Sequence, residues 1–234
     1  MYRDVTGWLL DETLCRLDAL GLEVEQRPAE YERYEVEGWL VRGQGWLVAN
    51  GALNLRYARI QSARADIATV MIYPVGHPEK LPIFAAEWVC LGEIVRPGVL
   101  DIETAGVQVD LLKEMTPIFM PLRDRWSHHF QACAEVPEWF QEIRTPWSAF
   151  FEMEVARMGE LREMFVDYLE KTMECFYTRE RLSDCVGGRE HELVLAYKEH
   201  HFVHSPGRKL LSGKLGESWS ERFLGTYHFG PAQD

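Results

Sequence analysis

The sequence predicts an α+β fold, in which helices cover an antiparallel sheet. Strand-like segments follow one another closely up to about residue 102, and helical periodicity dominates after Thr104. Strands joined by short links pair antiparallel, because parallel neighbours need a long crossover connection. The chain has 234 residues, of which 47% are hydrophobic, and this is enough for one packed core. We therefore expect a single domain over residues 1–234.

The first half predicts one helix and then a meander of strands. Apolar residues recur at helical spacing over residues 4–20, and Gly21 follows where a helix commonly ends. Alternating or continuous apolar runs then predict six strands, of which the last two are joined by a tight turn near Gly92. These strands are expected at residues 34–41, 46–49, 53–60, 65–74, 81–91 and 94–102.

The second half predicts helices. Residues 107–130 are helical in composition although they contain Pro117 and Pro121, and residues 151–177 show the clearest 3.6-residue periodicity. Further helices are expected at 190–202 and 209–224. Pro206 and Gly207 predict the break between these last two helices.

Composition and missing motifs exclude several classes of function. A formal net charge of -12 argues against a nucleic-acid partner and against an anionic membrane surface. The five cysteines form no CxxC pair, and the histidines form no HExxH motif, so no metal site is expected. No glycine-rich nucleotide motif or GxSxG elbow occurs. No signal peptide or apolar run of 18 residues is visible, which predicts a cytoplasmic protein.

Several short segments occur in an order and spacing that resemble one protein family. The segments are Val70-Met-Ile-Tyr-Pro74 with Leu81-Pro-Ile-Phe84, Val99-Leu-Asp-Ile-Glu103, Thr145-Pro-Trp-Ser-Ala-Phe-Phe151 and Gly213-Lys-Leu-Gly-Glu-Ser-Trp-Ser-Glu-Arg-Phe223. Together they resemble the ferredoxin-dependent bilin reductases over roughly residues 30–230. The resemblance implies a central antiparallel sheet with helices on both faces, which is a three-layer α/β/α sandwich.

The resemblance also implies an activity and its partners. It predicts an enzyme that reduces biliverdin or a closely related linear tetrapyrrole. Electrons would come one at a time from reduced ferredoxin, with no bound metal, flavin or nicotinamide, and a bilin radical would be the intermediate. Bilin and ferredoxin are thus the expected partners.

The chain departs from the family pattern at three positions. Where the family has Gly-x-Asp after the Leu-Pro strand, this chain has Ala-Ala-Glu87, which keeps a carboxylate. Glu152 replaces an arginine that pairs with a substrate propionate in many members, and Ser205 replaces an acidic residue. These differences bear on how the substrate is oriented and on which product isomer forms.

Three residues are the candidate proton donors. The resemblance assigns the buried acid to Asp101, whose apolar neighbours would raise the pKa of its carboxyl if it enters a dry pocket. A strand-end Asp that binds turn amides is the structural alternative. Glu87 should share a face with Asp101 and lie close to opposite it, although a surface glutamate fits the sequence equally well. His204 is a candidate for a second proton source, and a water-exposed histidine is its alternative.

The candidate substrate-binding residues are cationic or aromatic. Cations suit propionate groups, and aromatic residues suit a pocket for a flat ligand. Arg59 and Arg64 are alternatives for propionate binding or ferredoxin docking, whereas His77 and Glu79 are expected in a solvated turn. The predicted substrate-binding set is Arg56, Arg208, Lys209, Trp147 and Phe84.

Two other functions remain open from the sequence. One is a reductase of a chlorophyll-derived linear tetrapyrrole, which would need fewer or differently placed cations and so would tolerate Glu152. The other is a bilin-binding or bilin-transfer protein on the same fold that catalyses nothing.

Overall fold

A single antiparallel sheet forms the centre of the computed structural model, which describes residues 2–28, 33–106, 108–128, 131–132, 135–186 and 189–230. The strands are β1 Val24–Gln26, β2 Tyr34–Val36, β3 Trp39–Val48, β4 Leu53–Gln61, β5 Ala65–Pro74, β6 Ile83–Leu91, β7 Ile94–Glu103, β8 Gln131–Ala132 and β9 Ala149–Glu154. Their order in the sheet is β1-β3-β4-β5-β6-β7-β9-β8, and β2 also pairs with β3.

The predicted meander is confirmed for β3 to β7, each of which pairs with the next. The bounds of the first two predicted strands, at residues 34–41 and 46–49, are wrong, however. The chain turns at Glu37 and Gly38, which have φ values of 46° and 80°, and then runs as one strand to Val48. Gly38 suits this turn because glycine adopts positive φ without steric cost.

Helices account for most of the remaining chain. Their bounds are α1 Trp8–Ala19, α2 Val109–Trp126, α3 Glu138–Gln141, α4 Met158–Cys175, α5 Arg179–Ser183, α6 Glu192–His204, α7 Pro206–Leu215 and α8 Glu217–Arg222. A π-helical segment, Phe223–His228, continues from α8. Among these helices, none combines the length and apolar composition that a bilayer-spanning helix requires.

Two predicted helices differ from the structure. Residues 151–154 belong to β9, because Phe151 and Met153 are buried while Glu152 and Glu154 are more exposed, which is the two-residue period of a strand. The helix α4 begins only at Met158. The single helix predicted for 209–224 is interrupted at Gly216, whose φ of 88° ends α7 before α8 begins.

The two faces of the sheet carry different helices. On the α1/α4 face, strand residues such as Val70 and Trp88 pack against α1, α2 and α4. On the α6/α8 face, residues such as Met71 and Ala85 pack with α6, α7, α8 and the π-helical segment. The predicted three-layer α/β/α arrangement is therefore confirmed. Because strand side chains alternate between faces, every residue of β4 to β7 is committed to one helical layer.

Candidate functional site

A cleft lies between the α6/α8 face of the sheet and the C-terminal helices. It consists of two adjoining cavities with volumes of about 80 and 190 Å³. Both cavities are lined by Thr69, Glu87, Pro97, Ser205 and Phe229, so they adjoin along a shared wall.

The walls of the cleft are mainly apolar and aromatic. Trp139 and Phe140 of α3, Phe150 of β9 and Phe229 contribute rings, while Ala85 supplies a small side chain on the sheet. Flat, apolar walls suit a planar conjugated ligand, which gains from ring stacking as well as from burial. The described residues that line the two cavities include no lysine or arginine.

Glu87 is the acidic group that opens into both cavities. It is partly exposed to the cleft, and Thr69 lies beside it on β5, donating a hydrogen bond from Oγ1 to Glu87 Oε2 at 3.3 Å. Within the described part of the chain, no lysine or arginine forms an ion pair with it. Burial raises the pKa of Glu87, and the Thr69 hydrogen bond opposes this only in part. The carboxyl is therefore held toward its protonated form at a surface that a ligand can touch.

Asp101 lies on the same face, but not directly opposite Glu87. The register pairs Ala85 with Asp101 and Glu87 with Val99, so the two acids are offset by two residues. A register shift between Trp88 and Cys90 separates this pairing from the pairing next to the turn, where Leu91 lies opposite Ile94. The two acids therefore share a face, as predicted, but they lie two residues out of register rather than directly opposite each other.

The carboxylate of Asp101 is engaged in structural hydrogen bonds. It accepts bonds from the backbone N–H of Ile102 at 2.8 Å and of Thr145 at 3.0 Å, and from the Thr145 hydroxyl. The side chain is fully buried and is not among the residues that line the cavities. Burial raises the pKa of Asp101, whereas these hydrogen bonds act in the opposite direction. These hydrogen bonds join Asp101 to the segment before β9.

Glu103 is a cleft residue that sequence reasoning missed. It is fully buried at the end of β7, yet it lines the cleft together with His201. Burial, and then the nearby charge of Asp101, raise the pKa of Glu103 well above its usual range. Alternation along β7 places residues 101 and 103 on one face, so the sequence contained the signal for the face but not for access to the cleft.

His201, one helical turn before His204, is the histidine of α6 that lines the cleft. Its ring lies against Trp139, Tyr197 and Phe229. Burial lowers the pKa of His201 to about 3, so its imidazole is neutral at pH 7. The predicted candidate His204 is exposed at the end of α6 and stacks on Trp139 at 6.3 Å between ring centroids. It lies outside the cavities, as its alternative interpretation expected.

The structure does not bring the three predicted propionate-binding cations into the cleft. Arg56 is buried, and its guanidinium lies 5.3 Å from the centre of the Tyr227 ring. Arg208 forms a surface ion pair of 3.0 Å with Glu221, and Lys209 is exposed. None of the three lines either cavity.

Trp147 and Phe84 are placed on the wrong side of the sheet for substrate binding. Phe84 lies on the α1/α4 face and packs edge-on against Phe165, because it alternates with Ala85 along β6. Trp147 is fully buried on the same face, and its indole N–H donates to the carbonyl of Ile102 at 2.9 Å. Both residues belong to the packed core, which corrects their predicted assignment to the substrate.

Four other residues considered from the sequence also lie away from the cleft. Arg59 forms a buried ion pair of 2.8 Å with Asp66, and Arg64 is exposed. His77 Nδ1 lies 2.8 Å from Glu79 Oε1 in an exposed turn, as predicted.

Glu152 has a cationic partner on a neighbouring strand. Glu152 on β9 pairs with Arg96 on β7 at 3.2 Å. The described residues include no group of three or more side chains placed to hold a metal ion. The cleft thus has the shape and acidity to bind a flat apolar molecule and to protonate it.

Comparisons with known proteins agree on one family. Residues 29–230 match the family model described as ferredoxin-dependent bilin reductase. A phycoerythrobilin:ferredoxin oxidoreductase from Synechococcus sp. (strain WH8020) is 22% identical, over 97% of this chain and 95% of that protein. The crystal structure of phytochromobilin synthase from tomato in complex with biliverdin superposes with a TM-score of 0.79 at 14% identity, covering 96% of this chain and 83% of the other.

Proposed function

Because the chain belongs to the ferredoxin-dependent bilin reductases and is an oxidoreductase that acts on a bilin, we propose that its substrate is biliverdin or a close relative. The match spans residues 29–230, which include every residue of the cleft. The names of two relatives support the proposal, since one acts on a bilin with ferredoxin and the other binds biliverdin.

The observation that carries the proposal is an aromatic cleft with a partly exposed acid in its floor. The rings of Trp139, Phe140 and Phe150 provide contact area for conjugated pyrrole rings, and Glu87 faces the same space. A carboxyl whose pKa burial raises can give a proton to a bilin whose basicity rises when it accepts an electron.

In the proposed reaction, reduced ferredoxin supplies electrons one at a time and the protein supplies protons. One electron converts the bound bilin to a radical, and Glu87 breaks its O–H bond to protonate it. A second electron and a second proton complete the reduction of one carbon–carbon double bond. Thr69 holds the Glu87 carboxyl in place through its 3.3 Å hydrogen bond.

The propionate groups are proposed to stay at the rim of the cleft, in contact with water. The two cavities have no cationic lining among the described residues, and burying a carboxylate without a partner is costly. Lys209 is exposed on α7, close in sequence to Ser205 and Pro206 of the rim, and can meet a propionate there.

The proposal is tested by mixing the protein with biliverdin and then adding reduced ferredoxin without oxygen. We expect a bound spectrum on mixing and a stepwise blue shift on reduction. A bound spectrum that never changes would instead support a transfer protein. Binding of an opened chlorophyll in place of biliverdin would support the chlorophyll-derived substrate.

The Glu87→Gln variant tests the proton donor. It should bind biliverdin and accept an electron, but turnover should fall by about 10²-fold or more because the amide cannot donate the proton. Glu79→Gln, an exposed turn residue, is the matched control. Steady-state rates and the electron paramagnetic resonance of the trapped radical measure the effect, and an E87Q variant with the wild-type rate would remove Glu87 from the mechanism.

A further inference from the structure

Two large apolar side chains are exposed at one end of the sheet, beside the cleft. Leu91 ends β6 and is 54% exposed, and Ile94, which pairs with it across the turn to β7, is 41% exposed. Side chains alternate along β6, so Leu91 lies on the same face as Val89, which lines the larger cavity. The apolar floor of the cleft therefore continues past Val89 to a patch in contact with solvent.

A cation lies next to this apolar patch. Arg64 is exposed in the turn between β4 and β5, and its backbone carbonyl accepts a hydrogen bond from the N–H of Gly92 at 2.9 Å. This bond holds the β4–β5 turn beside the turn that joins Leu91 to Ile94. Within the described ranges, Arg64 forms no ion pair with a carboxylate.

A second cation reaches the same end of the sheet from α7. Leu210 of α7 lines the larger cavity together with Val89, so the helix lies over this part of the sheet. Lys214, near the end of α7, is exposed, and its Nζ lies 5.9 Å from the centre of the Trp39 ring at the start of β3. Among the residues that the structure describes, none forms an ion pair with Lys214.

Trp39 and Leu91 lie in one row across the sheet. The register of β3 and β4 brings Trp39 level with Ser62, whose N–H donates to the carbonyl of Ala65 at 2.8 Å. Ala65 in turn pairs with Leu91. Three strand spacings of about 4.8 Å each put Trp39 about 14 Å from Leu91, so both cations border one continuous surface.

This region is locally positive on an acidic protein. The chain has 37 acidic and 25 basic residues, yet residues 200–216, which include α7, contain no Asp or Glu. Glu93, the acid in the turn next to Leu91, is paired with Arg3 at 3.2 Å. An acidic partner is therefore attracted here and repelled by most of the remaining surface.

We define the strand-end surface as Arg64, Leu91, Ile94 and Lys214. An apolar centre with a charged rim is the usual arrangement of a protein–protein interface, and small interfaces are typical of short-lived redox complexes. The surface adjoins the cleft through Val89, so an electron donor bound there lies close to the ligand. Charge and position together suit an acidic iron–sulfur protein.

We propose that reduced ferredoxin docks on the strand-end surface, with acidic side chains against Arg64 and Lys214 and apolar atoms against Leu91 and Ile94. This inference rests on the proposed function. In each docking, one electron passes from the reduced iron–sulfur cluster to the bilin in the cleft, and oxidised ferredoxin leaves. Two dockings, together with two protons, reduce one double bond.

The test reverses two charges in the variant Arg64→Glu/Lys214→Glu. Its KM for an acidic [2Fe–2S] ferredoxin should rise by about 10-fold or more, because electrostatic attraction at the rim is lost. Its kcat at saturating ferredoxin and its affinity for biliverdin should stay within about twofold of the wild type. Added salt should raise the KM of the wild type and change that of the variant little. Lys209 is left unchanged, because it can meet a propionate.

Two further variants separate charge from apolar contact. Lys113→Glu/Arg123→Glu makes the same charge change at exposed positions of α2, on the other face of the sheet, and should keep the wild-type KM. Leu91→Ser removes the apolar centre and changes no charge. It should raise the KM for ferredoxin by about threefold or more and keep the salt dependence of the wild type.

Several outcomes overturn the inference. An unchanged KM in R64E/K214E does so, and so does an equal rise in the α2 control, since net charge alone would then be responsible. A lower affinity for biliverdin or a large drop in melting temperature in both R64E/K214E and L91S would assign these residues to the substrate site or to the core. Self-association of the wild type that L91S abolishes, with ferredoxin affinity unchanged, would assign the surface to a second copy of the chain.

Calorimetric titration with ferredoxin separates this inference from the proposed function. A wild type that binds ferredoxin, loses this binding in R64E/K214E and leaves biliverdin unreduced contradicts the proposed function alone. A wild type that reduces biliverdin and binds ferredoxin as tightly as R64E/K214E does contradicts the docking surface alone.

Discussion

At the scale of single residues, burial decides the protonation state of the groups around the cleft. Glu87 and Glu103 are shifted toward the neutral acid, while His201 and His228 are shifted toward the neutral imidazole. The common cause is the loss of water, which disfavours whichever form is charged. The acids and imidazoles around the cleft are therefore biased toward their neutral forms.

The burial of His228 predicts that the folded protein loses stability in acid. Burial lowers the pKa of His228 to about 3, against an ordinary value of 6.5, so below pH 6.5 the unfolded chain binds a proton that the folded chain does not. Stability contributed by the neutral form is present above pH 6.5 and decreases as the pH falls toward 3. Between pH 7 and pH 5, this residue should account for about 2 kcal/mol of lost stability.

The variant His228→Gln measures this contribution, because glutamine is polar and does not titrate. Urea unfolding at pH 7 and pH 5 should show a loss of stability that is about 2 kcal/mol smaller in the variant than in the wild type. Equal losses in the two proteins would show that His228 is protonated, or has access to water, in the folded state.

At the scale of elements, close contact between β7 and β9 fixes the edge of the sheet. Gly98 on β7 pairs with Phe151 on β9, and a Cβ atom at Gly98 would lie 2.5 Å from the Phe151 ring. The Phe151 ring thus occupies the space that a side chain at position 98 would need. The glycine is required by close approach rather than by its backbone conformation.

Gly98→Ala should therefore destabilise the protein by about 1–3 kcal/mol, because the Phe151 ring must move to admit the methyl group. Gly159→Ala is the matched control, since no atom lies within 4 Å of its added Cβ and the residue is helical. The control should be neutral or stabilise by up to about 1 kcal/mol. Chemical unfolding of both variants checks the difference, and a neutral G98A would contradict the packing argument.

Element boundaries also show where sequence reasoning succeeds. The meander was predicted because the strand-like segments follow one another with short links, such as the tight turn near Gly92 that joins β6 to β7. The strand β9 was assigned to a helix because its apolar residues merge with those of α4. The apolar residues of so short a segment fit both the helical and the strand period, so its sequence alone does not decide between them. Hydrogen bonds to the neighbouring strand decide the assignment.

At the scale of the whole molecule, one face of the sheet is filled by core side chains and the other contains the proposed ligand site. The α1/α4 face is packed with large side chains such as Phe165 and Trp88, whereas the α6/α8 face contains the cleft. The sequence pattern places apolar residues on both faces. Only packing distinguishes a filled layer from an open one.

This division predicts opposite effects for two aromatic truncations. Phe165→Ala should cost about 3–5 kcal/mol of stability, because it leaves a cavity in the filled layer. Trp139 lines the cleft. Trp139→Ala should therefore cost less stability than Phe165→Ala but weaken biliverdin binding more. Unfolding curves and spectral titrations with biliverdin measure both quantities, and similar binding losses in the two variants would contradict the assignment of faces.

The sequence by itself determined the fold class, the order of the central strands and the face on which the acids lie, because periodicity and short links are local properties of the chain. It also carried the family resemblance that the comparisons confirm. The tertiary structure alone decided which acid meets the cleft, since Asp101 and Glu103 share one face and differ only in the partners that fold over them. Hydrogen bonds from Thr145 and an opening beside His201 involve segments distant along the chain, and no local pattern encodes them.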